Sequence, residues 1–369
     1  MPDSLYHFQK VLEQRSAGGT LRILKQWQHG TDFYSNDYLG LARNKDFQNS
    51  LLKKVTENPE LLKGSTGSRL ISGNSRSVME TEAFIAKEHT YESALLFTSG
   101  YNANLALFSA LPTRHDVIIA DEHIHRSVHD ACKMSHAKKL KFRHNDTEDL
   151  ERILRKQSGR CYVAIESLYS MDGDFAPIKQ IAVIVSKYKA HLIVDEAHAF
   201  GVFGYGLVAE FQLQNSVLAT VVTYGKALGS HGAAILCSEL IKSYLVNFAS
   251  PFIYTTSAHD FLWMSIREGY RFLNAGKELS VNLQENIKIF RRQGLGSPSS
   301  DSSPIQAVII PDPHQLSALK NKLSENGLLT YAVLSPTVKK NTERLRICLH
   351  SFNTQDEILK LTRIIRQSG

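Results

Sequence analysis

The stretch that decides the fold is residues 219–232, ATVVTYGKALGSHG. Its β-branched residues Val221, Val222 and Thr223 predict a short buried strand, and the glycines that follow predict a turn just after Lys226. A lysine at the end of a buried strand lies in surroundings of low dielectric constant, which favour its neutral amine. Schiff-base chemistry with a carbonyl compound requires such an amine. Because most lysines are exposed, this stretch alone leaves open whether Lys226 is an ordinary surface residue.

The composition is that of an ordinary globular enzyme, with 369 residues of which 43% are hydrophobic and 21% charged. The four cysteines form no CxxC pair, which argues against a zinc ribbon or a disulfide framework and suits a reducing compartment. The net charge of +7 is spread along the chain, so an anionic small substrate explains it as well as nucleic acid does. Residues 1–19 predict a short amphipathic helix, and no apolar run is long enough to span a bilayer. We therefore expect a cytoplasmic protein without nucleic-acid or membrane partners.

Strand-like and helical segments alternate through the middle of the chain. Segments that begin at Ala94, Asp116, Cys161 and Ala190 each start as an apolar strand and continue into a loop or a helix. This alternation predicts βαβ units, and therefore an α/β fold with a mostly parallel sheet flanked by helices. After a helical stretch at residues 260–291, a β-α-β-β-α pattern, which includes a strand at LLTYAV (328–333), predicts a smaller α+β domain. We predict an N-terminal helix and arm (1–45), a large domain (46–258) and a C-terminal α+β domain (259–369).

Polar residues follow the predicted strands at the points where the strands end. Gly100, Ser170, Asp195, His198 and Lys226 all lie just after a predicted strand. In parallel α/β sheets, ligands bind beyond the carboxyl ends of the strands. This common placement favours a functional role for Lys226 over that of a surface residue.

An ATPase is one alternative, because the DEAH sequence that starts at Asp195 resembles the magnesium box of helicase-type enzymes. Such an enzyme needs a phosphate loop of the form GxxxxGK[ST]. The chain contains no such loop, since GSTGSRL (64–70) lacks the lysine and the glycines at 229 and 232 lie C-terminal to Lys226. The ATPase hypothesis is therefore weak.

A metal-dependent hydrolase is a second alternative. His125 and His129 have the i, i+4 spacing that places two imidazoles on one face of a helix. In a chain with 15 histidines, this spacing without a glutamate directly after the first histidine arises easily by chance. Exposed or structurally bonded histidines explain the pattern at least as well.

A pyridoxal-phosphate enzyme is the third possibility. The protein partners of that cofactor are a Schiff-base lysine and a carboxylate for the pyridinium nitrogen, which Lys226 and Asp195 can supply. His198 can reach the phenolic oxygen of the cofactor, and Thr223 adds a hydroxyl. The phosphate needs backbone N–H groups at a helix N-terminus, which the segment around Gly100 provides. Each feature is weak alone, but their order on alternating strands makes this the favoured hypothesis.

The chain resembles the α-oxoamine synthases from about residue 21 to the C-terminus. The motifs that carry the resemblance are FYSNDYLGL (33–41), GSTGSRLISGNS (64–75), LLFTSGYNAN (95–104), ESLYSMDGDFAPI (166–178), LIVDEAHAFGVFG (192–204), TYGKALGSHGAAILCS (223–238) and SPTV (335–338) with RLRICL (344–349). The block around Lys226 is the most diagnostic. The resemblance implies a fold-type I pyridoxal-phosphate transferase with a large sheet domain and a smaller α+β domain.

The resemblance also implies roles for individual residues. Lys226 would bond the cofactor covalently, Asp195 would pair with the ring nitrogen, and His125 would stack on the ring. The further implied residues are Ser170 and His198 at the phenolic oxygen, Gly100, Tyr101 and Thr223 at the cofactor's phosphate-bearing tail, Asn36 and Arg346 at the amino-acid carboxylate, and Arg22 and Thr337 at the acyl substrate. Thr255 and Thr256 lie in a segment, IYTTSA, that resembles one reaching a neighbouring subunit's cofactor, which implies a homodimer.

The activity implied is a decarboxylative condensation of an amino acid with an acyl thioester. L-Alanine and a pimeloyl thioester are the expected substrates, and the acyl carrier is coenzyme A or an acyl carrier protein. A sister synthase that uses glycine or serine with another acyl group is the alternative. Leu334-Ser335 and Arg69 are departures from the family pattern, and the departures concern recognition of the acyl chain more than the chemistry.

Overall fold

The structure is a computed structural model that describes residues 3–24, 26 and 29–368. The helices of this part of the chain are α1 (Asp3–Ala17), α2 (Lys45–Glu57), α3 (Arg76–Glu88), α4 (Gly100–Ala110), α5 (Arg126–Met134), α6 (Thr147–Leu154), α7 (Ile178–Lys187), α8 (Leu207–Glu210), α9 (Glu239–Phe248), α10 (Ser250–Ile253), α11 (Asp260–Ala275), α12 (Lys277–Arg292), α13 (Pro313–Glu325) and α14 (Gln355–Arg366). The strands are β1 (Thr31–Asp32), β2 (Ser93–Phe97), β3 (Val117–Asp121), β4 (Lys138–Phe142), β5 (Cys161–Glu166), β6 (His191–Asp195), β7 (Ala219–Thr223), β8 (Ala233–Cys237), β9 (Ile305–Ile309), β10 (Leu328–Leu329), β11 (Tyr331–Val333) and β12 (Arg344–Cys348). Short 3-10 turns lie at Leu41–Arg43, Pro59–Leu62 and Gln214–Ser216.

The largest sheet of the described chain has seven strands in the order β2-β8-β7-β6-β5-β3-β4. The five strands from β7 to β4 run parallel, and β8 runs antiparallel to both of its neighbours. The predicted α/β fold with a mostly parallel sheet is therefore confirmed.

Helices cover both faces of this sheet because its strands are apolar on both faces. In β3, Ile118 and Ala120 pack in one hydrophobic cluster with residues of α4 and α5, whereas Val117 and Ile119 pack in another with residues of α6 and α7. Buried parallel strands have this continuous apolar character. Only the strand ends are left for polar chemistry.

The C-terminal part of the chain contains a second, antiparallel sheet in the order β11-β12-β9. The N-terminal segment joins this part through β1, which pairs in parallel with β10 so that Thr31 lies opposite Leu328. The predicted boundary after residue 258 falls between α10 and α11, and the one after residue 45 falls at the start of α2. The division into three domains remains a prediction.

Two elements differ from the sequence-based expectation. The helical stretch at residues 260–291 is two helices, because Gly276 leaves the helical region at φ −94° and ψ 49°. The strand expected over residues 328–333 is divided at Thr330, since Leu328–Leu329 pairs with β1 and Tyr331–Val333 pairs with β12. In both cases the apolar pattern located the element, and tertiary pairing set its limits.

The predicted N-terminal helix is α1. Its large side chains are exposed, with Tyr6 at 64% and Phe8 at 63% of full exposure. Met1 and Pro2, which belong to the predicted segment, lie outside the described residues. Of the helices described, none combines the length and the apolarity needed to cross a bilayer.

Candidate active site

The carboxyl ends of β5, β6 and β7 meet at one edge of the central sheet. Glu166 ends β5 and Asp195 ends β6, and these two residues are paired in register. Asp195 is also paired with Val221 of β7. Three residues beyond the ends of β6 and β7, the chain reaches His198 and Lys226 respectively. The structure thus brings the predicted residues to the edge where α/β sheets bind ligands.

Lys226 lies in a tight turn after β7. The N–H of Gly229 donates to the Lys226 carbonyl at 2.9 Å, and Gly229 has a φ of +60°. A Cβ at this position would lie 2.3 Å from the backbone nitrogen of Ala42, so only glycine fits. Desolvation lowers the pKa of Lys226 to about 8, although the carboxyl groups of Asp195 and Glu166 oppose the shift. A substantial fraction of this amine is therefore neutral near physiological pH.

His198 connects the lysine to the N-terminal segment. Its Nε2 lies 3.0 Å from Lys226 Nζ, and its Nδ1 lies 2.7 Å from the hydroxyl of Tyr38. The Tyr38 hydroxyl donates to Asn36 Oδ1 at 3.1 Å, and the same oxygen accepts from Arg346 Nη2 at 3.0 Å. Burial, followed by the charges of Lys226 and Arg346, holds the pKa of His198 well below its usual value. The imidazole is therefore a neutral link in a continuous polar chain.

Arg346, which lies on β12 of the C-terminal sheet, is the last residue of this hydrogen-bonded network. Its Nε donates to the carbonyl of Ser170 at 2.7 Å, its Nη1 to Cys348 Sγ at 2.9 Å and its Nη2 to Asn36. Arg346 and Ser170 are both buried. A guanidinium has five N–H groups, so these contacts within the described chain leave two N–H groups for an anion. The structure thus brings Asn36, Ser170 and Arg346 together.

Asp195 is buried and held by two donors. Its Oδ2 accepts from Asn104 Nδ2 at 2.7 Å and its Oδ1 accepts from the backbone N–H of Ala197 at 2.9 Å. Asn104 also donates to the Ser127 hydroxyl at 3.0 Å, and that hydroxyl lies 2.8 Å from Nδ1 of His125. Hydrogen bonds through the side chains of Ser127 and Asn104 therefore connect His125 to Asp195.

The N-terminus of α4 forms a cradle beside β7. Ser99 caps the helix, and a Cβ on Gly100 would lie 2.5 Å from Thr223 Cγ2. The glycine therefore allows close approach of the helix start to the end of β7. The first N–H groups of a helix have no intrahelical acceptor and attract anions. Tyr101 contributes its backbone here, whereas its hydroxyl donates at 2.8 Å to a carboxylate of α5.

These residues fit pyridoxal 5'-phosphate. Lys226 supplies an amine of lowered pKa, and Asp195 supplies a carboxylate whose position is set by two donors. The start of α4, opened by Gly100, supplies the N–H groups that a phosphate needs. A lysine, a carboxylate and a phosphate cradle are the set that this cofactor requires.

Arg22 and Thr337 lie together but in a different place. Arg22 Nη2 donates to Thr337 Oγ1 at 3.3 Å, and both residues line a cleft of about 640 Å3 between the N-terminal arm, α13 and β11. Tyr331 also lines this cleft and is paired in register with Arg346. The pairing of β11 with β12 therefore places the cleft next to Arg346, which belongs to the hydrogen-bonded network that reaches Lys226.

Thr255 and Thr256 lie neither among the residues around Lys226 nor in the cleft. Thr256 forms a β-bridge with Ser68, and both threonines line a small pocket with Thr98 and Arg69. Within the described chain, no hydrogen bond joins either threonine to Lys226. Arg69, one of the departures from the family pattern, is paired at 2.8 Å with a buried glutamate of α3.

The residues that suggested an ATPase or a metal-dependent hydrolase are engaged in other contacts. Glu196 of the DEAH sequence accepts the backbone N–H groups of Leu207 and Val208, so it caps α8. His125 Nδ1 faces Ser127, whereas His129 Nδ1 contacts the Lys139 amine. Across residues 3–24, 26 and 29–368, no group of three or more His, Cys, Asp or Glu side chains is placed to hold a metal ion.

Sequence reasoning missed four polar residues of this site: Tyr38, Asn104, Ser127 and Glu166. All four are buried. Tyr38 and Asn104 stand inside quoted motifs, SNDY and NAN, where a polar side chain embedded in an otherwise buried segment is the available signal. Their hydrogen-bond partners lie far away in the chain, so this signal does not indicate which residues they contact.

The fold and the site define the class of protein. The model of the family described as aminotransferase class I and II matches residues 28–365, and the chain belongs to this family. The serine palmitoyltransferase of S. paucimobilis shares the fold, with a TM-score of 0.89 at 23% identity over 99% of this chain and 97% of that one. This class consists of pyridoxal-phosphate-dependent enzymes with an α/β fold.

More similar proteins narrow the family. The 8-amino-7-oxononanoate synthase of Emericella nidulans is 37% identical over 96% of this chain and 93% of its own length. The crystal structure of 8-amino-7-oxononanoate synthase from Francisella tularensis matches with a TM-score of 0.78 and 30% identity, covering 92% of this chain and 97% of that one. Within the class, the chain therefore belongs with the 8-amino-7-oxononanoate synthases and is a pyridoxal-phosphate-dependent acyltransferase.

Proposed function

We propose that this enzyme condenses L-alanine with a pimeloyl thioester, with loss of carbon dioxide and the thiol, to give 8-amino-7-oxononanoate for biotin biosynthesis. The observation that carries the choice of acyl group is the cleft where Arg22 bonds Thr337. A pimeloyl group ends in a carboxylate, which an arginine can bind with two hydrogen bonds. Arg15 also lines this cleft.

We assign the cofactor contacts as follows. Lys226 bonds the cofactor, Asp195 pairs with the ring nitrogen, and His125 covers the ring face. The remaining contacts are Ser170 and His198 at the phenolic oxygen, and Gly100, Tyr101 and Thr223 at the phosphate. When bound, pyridoxal phosphate supplies an electron sink for a carbanion.

The lysine can act as the base of the reaction. Its lowered pKa leaves a neutral Nζ that can accept the α-proton of the amino acid. His198 lies within hydrogen-bond distance of Nζ, so the amine is held in one position. Asp195, fixed by Asn104 and Ala197, would place its carboxyl group beside the cofactor ring.

The amino-acid carboxylate fits the buried Arg346. Two of its N–H groups remain after the contacts to Ser170, Cys348 and Asn36, which matches the two oxygens of a carboxylate. Asn36 is held by Tyr38 and by Arg346 itself, and its amide nitrogen can donate to the same substrate group.

We further propose a homodimer in which Thr255 and Thr256 contact the neighbouring subunit's cofactor. Two apolar residues that lie close in the chain to the bridged pair Ser68 and Thr256 are exposed, Ile71 at 85% and Tyr254 at 82%. A patch of this kind favours a protein contact. In a mixture of Lys226→Ala chains with chains carrying Thr255→Ala and Thr256→Ala, about a quarter of the sites would be intact if the subunits share sites. No recovery of activity on mixing would contradict the shared site.

Soluble substrates and a cytoplasmic location complete the proposal. The four cysteines are buried and unpaired, as expected in a reducing compartment. Coenzyme A and an acyl carrier protein are both acceptable acyl carriers for a cleft that opens to solvent.

The alternative is a sister synthase that uses serine or glycine with another acyl group. The similarity in fold to serine palmitoyltransferase favours it. A long alkyl chain offers no partner to the cations of the cleft, however, and burying a cation against it is unfavourable. The pimeloyl hypothesis is therefore the better match.

A substrate panel tests the proposal. The holoenzyme is given alanine, glycine or serine with pimeloyl-CoA, pimeloyl-carrier protein or palmitoyl-CoA, and carbon dioxide, free thiol and product mass are measured. We expect alanine with a pimeloyl thioester to exceed every other pair in kcat/KM by about 100-fold or more. Faster turnover of serine with palmitoyl-CoA would establish the alternative instead.

A further inference from the structure

A line of buried polar side chains connects Asp195 to His125. Asn104 and Ser127 stand between them and are 1% and 0% exposed. The Nδ2 group of Asn104 lies 2.7 Å from Asp195 Oδ2 and 3.0 Å from Ser127 Oγ. Ser127 Oγ lies 2.8 Å from His125 Nδ1. Asn104 comes from α4 and Ser127 from α5, so the line crosses two helices.

The direction of each hydrogen bond in this line is determined. A carboxylate only accepts, so Asn104 must turn its nitrogen toward Asp195. The second hydrogen of that nitrogen points to Ser127 Oγ, which therefore accepts. The Oδ1 atom of Asn104 has no hydrogen-bond partner in the described chain, so the two donated bonds orient the amide. The hydroxyl hydrogen of Ser127 is then available only to His125.

A second donor acts on the same ring nitrogen. The backbone N–H of Ser127 donates to His125 Nδ1 at 3.3 Å, as part of the capping of α5. A backbone N–H cannot accept, so Nδ1 must carry the lone pair. The proton of the neutral imidazole is therefore on Nε2.

We propose that Asn104 and Ser127 are positioning residues that hold His125 in the Nε2–H tautomer and tie that tautomer to the carboxylate of Asp195. His125 can then offer one N–H, always at the same place, to an oxygen of the bound substrate. The catalytic part of this proposal rests on the proposed function. The tautomer itself depends only on contacts within the chain.

The charged and titratable groups that face His125 act on its protonation. Desolvation lowers its pKa first, the Asp195 carboxylate raises it, and the Lys226 ammonium lowers it. The backbone N–H of His125 acts to lower the pKa of Glu166, and His198 interacts with the ring through space. A hydrogen bond donated to Nδ1 stabilises its lone pair and so opposes protonation of that nitrogen. Loss of the donor therefore raises the pKa of His125.

The experiment is 15N NMR of the holoenzyme labelled at histidine, with His125→Gln to assign the signal. The wild type should show Nε2 carrying hydrogen and Nδ1 without it at pH values above the titration. Ser127→Ala leaves only the longer backbone N–H bond of 3.3 Å on Nδ1, so it should weaken the preference for the Nε2–H tautomer, with a measurable fraction of the other one, and raise the titration midpoint by about half to one pH unit. Ser109→Ala removes a hydroxyl from α4 that bonds only the Leu105 carbonyl, and it should match the wild type.

Kinetics give an independent reading of the same change. Ser127→Ala should lower kcat about three- to tenfold with KM for alanine nearly unchanged, because Asn36 and Arg346, which we assign to the amino-acid carboxylate, are untouched. Asn104→Asp, which removes the donors to Asp195 and Ser127, should shift the tautomer in the same direction as Ser127→Ala. A wild type with hydrogen on Nδ1, or a Ser127→Ala spectrum identical to the Ser109→Ala control, would overturn the proposal. Because the spectra need no substrate, a wrong substrate assignment would leave this result intact.

Discussion

The lysine end of the central sheet and the cleft lined by Arg22 and Thr337 differ in how their polar residues are held. At the lysine end, Asp195 has two donors and Arg346 has three acceptors, and both are about 95% buried. At the cleft, Arg22 is exposed and bonded through a single contact to Thr337 at 3.3 Å. We propose that the residues of the first region perform the chemistry and that those of the second select the substrate.

The physical reason lies in the dielectric constant. Buried polar networks interact strongly and must be satisfied, so they hold each group in one geometry. An exposed pair contributes on the order of 1 kcal/mol or less and can adapt to a ligand. Substitutions at the lysine end should therefore abolish turnover, whereas substitutions at the cleft should change substrate preference.

The largest expected effect is that of Lys226→Ala. Loss of the amine removes both the covalent attachment of the cofactor and the proposed base, so turnover should fall on the order of 10^4-fold or more. The measurements are kcat and the visible absorbance of the bound cofactor. Lys53→Ala, at a side chain that is 76% exposed, should leave both unchanged. Near-normal turnover in Lys226→Ala would remove the basis of the comparison.

A smaller effect is expected for Asp195→Asn. An amide no longer stabilises a protonated ring nitrogen, so α-proton removal should slow about 10^2- to 10^4-fold while the cofactor stays bound. Exchange of the α-hydrogen of alanine in deuterium oxide, followed by proton NMR without any acyl donor, measures this step. An unchanged exchange rate would show that Asp195 does not act on the cofactor ring.

The pH dependence of cofactor attachment tests the electrostatics of Lys226. Its pKa is lowered to about 8, so the neutral, reactive amine is nearly complete above that pH. Below it, the rate at which the cofactor-free enzyme takes up pyridoxal phosphate should fall about tenfold per pH unit. N-acetyl-lysine amide, with an ordinary lysine pKa, is the control and should level only near pH 10. A protein rate that also rises to pH 10 would contradict the role of burial.

The smallest effect is expected at the cleft, for Arg22→Ala. Loss of one exposed cation should raise KM for the pimeloyl thioester about tenfold with kcat nearly unchanged, because the proton-transfer groups are untouched. Lys10→Ala on exposed α1 is a matched control that also removes one positive charge. If kcat fell as far as KM rose, the two regions would not be separable as we propose.

Local sequence pattern predicted much of this molecule. The strand before Lys226, the placement of Asp195 and His198 after their strands, and the helix that begins at Gly100 all follow from apolar runs and turn residues. The residues at which helices and strands begin and end were harder to predict from the sequence. Gly276 divides a helical stretch and Thr330 divides a strand, because each half packs against a different partner.

The sequence by itself determined the α/β class, the lysine and the carboxylate, since these depend on periodicity and on strand ends within a short window. Only the tertiary structure decided the networks around them. Tyr38 and His198 are 160 residues apart in the chain, and Asn36 and Arg346 are 310 residues apart. Such contacts arise when sheet pairing and burial bring distant backbone together. Burial then requires that each polar group finds a partner, and no local pattern specifies which one.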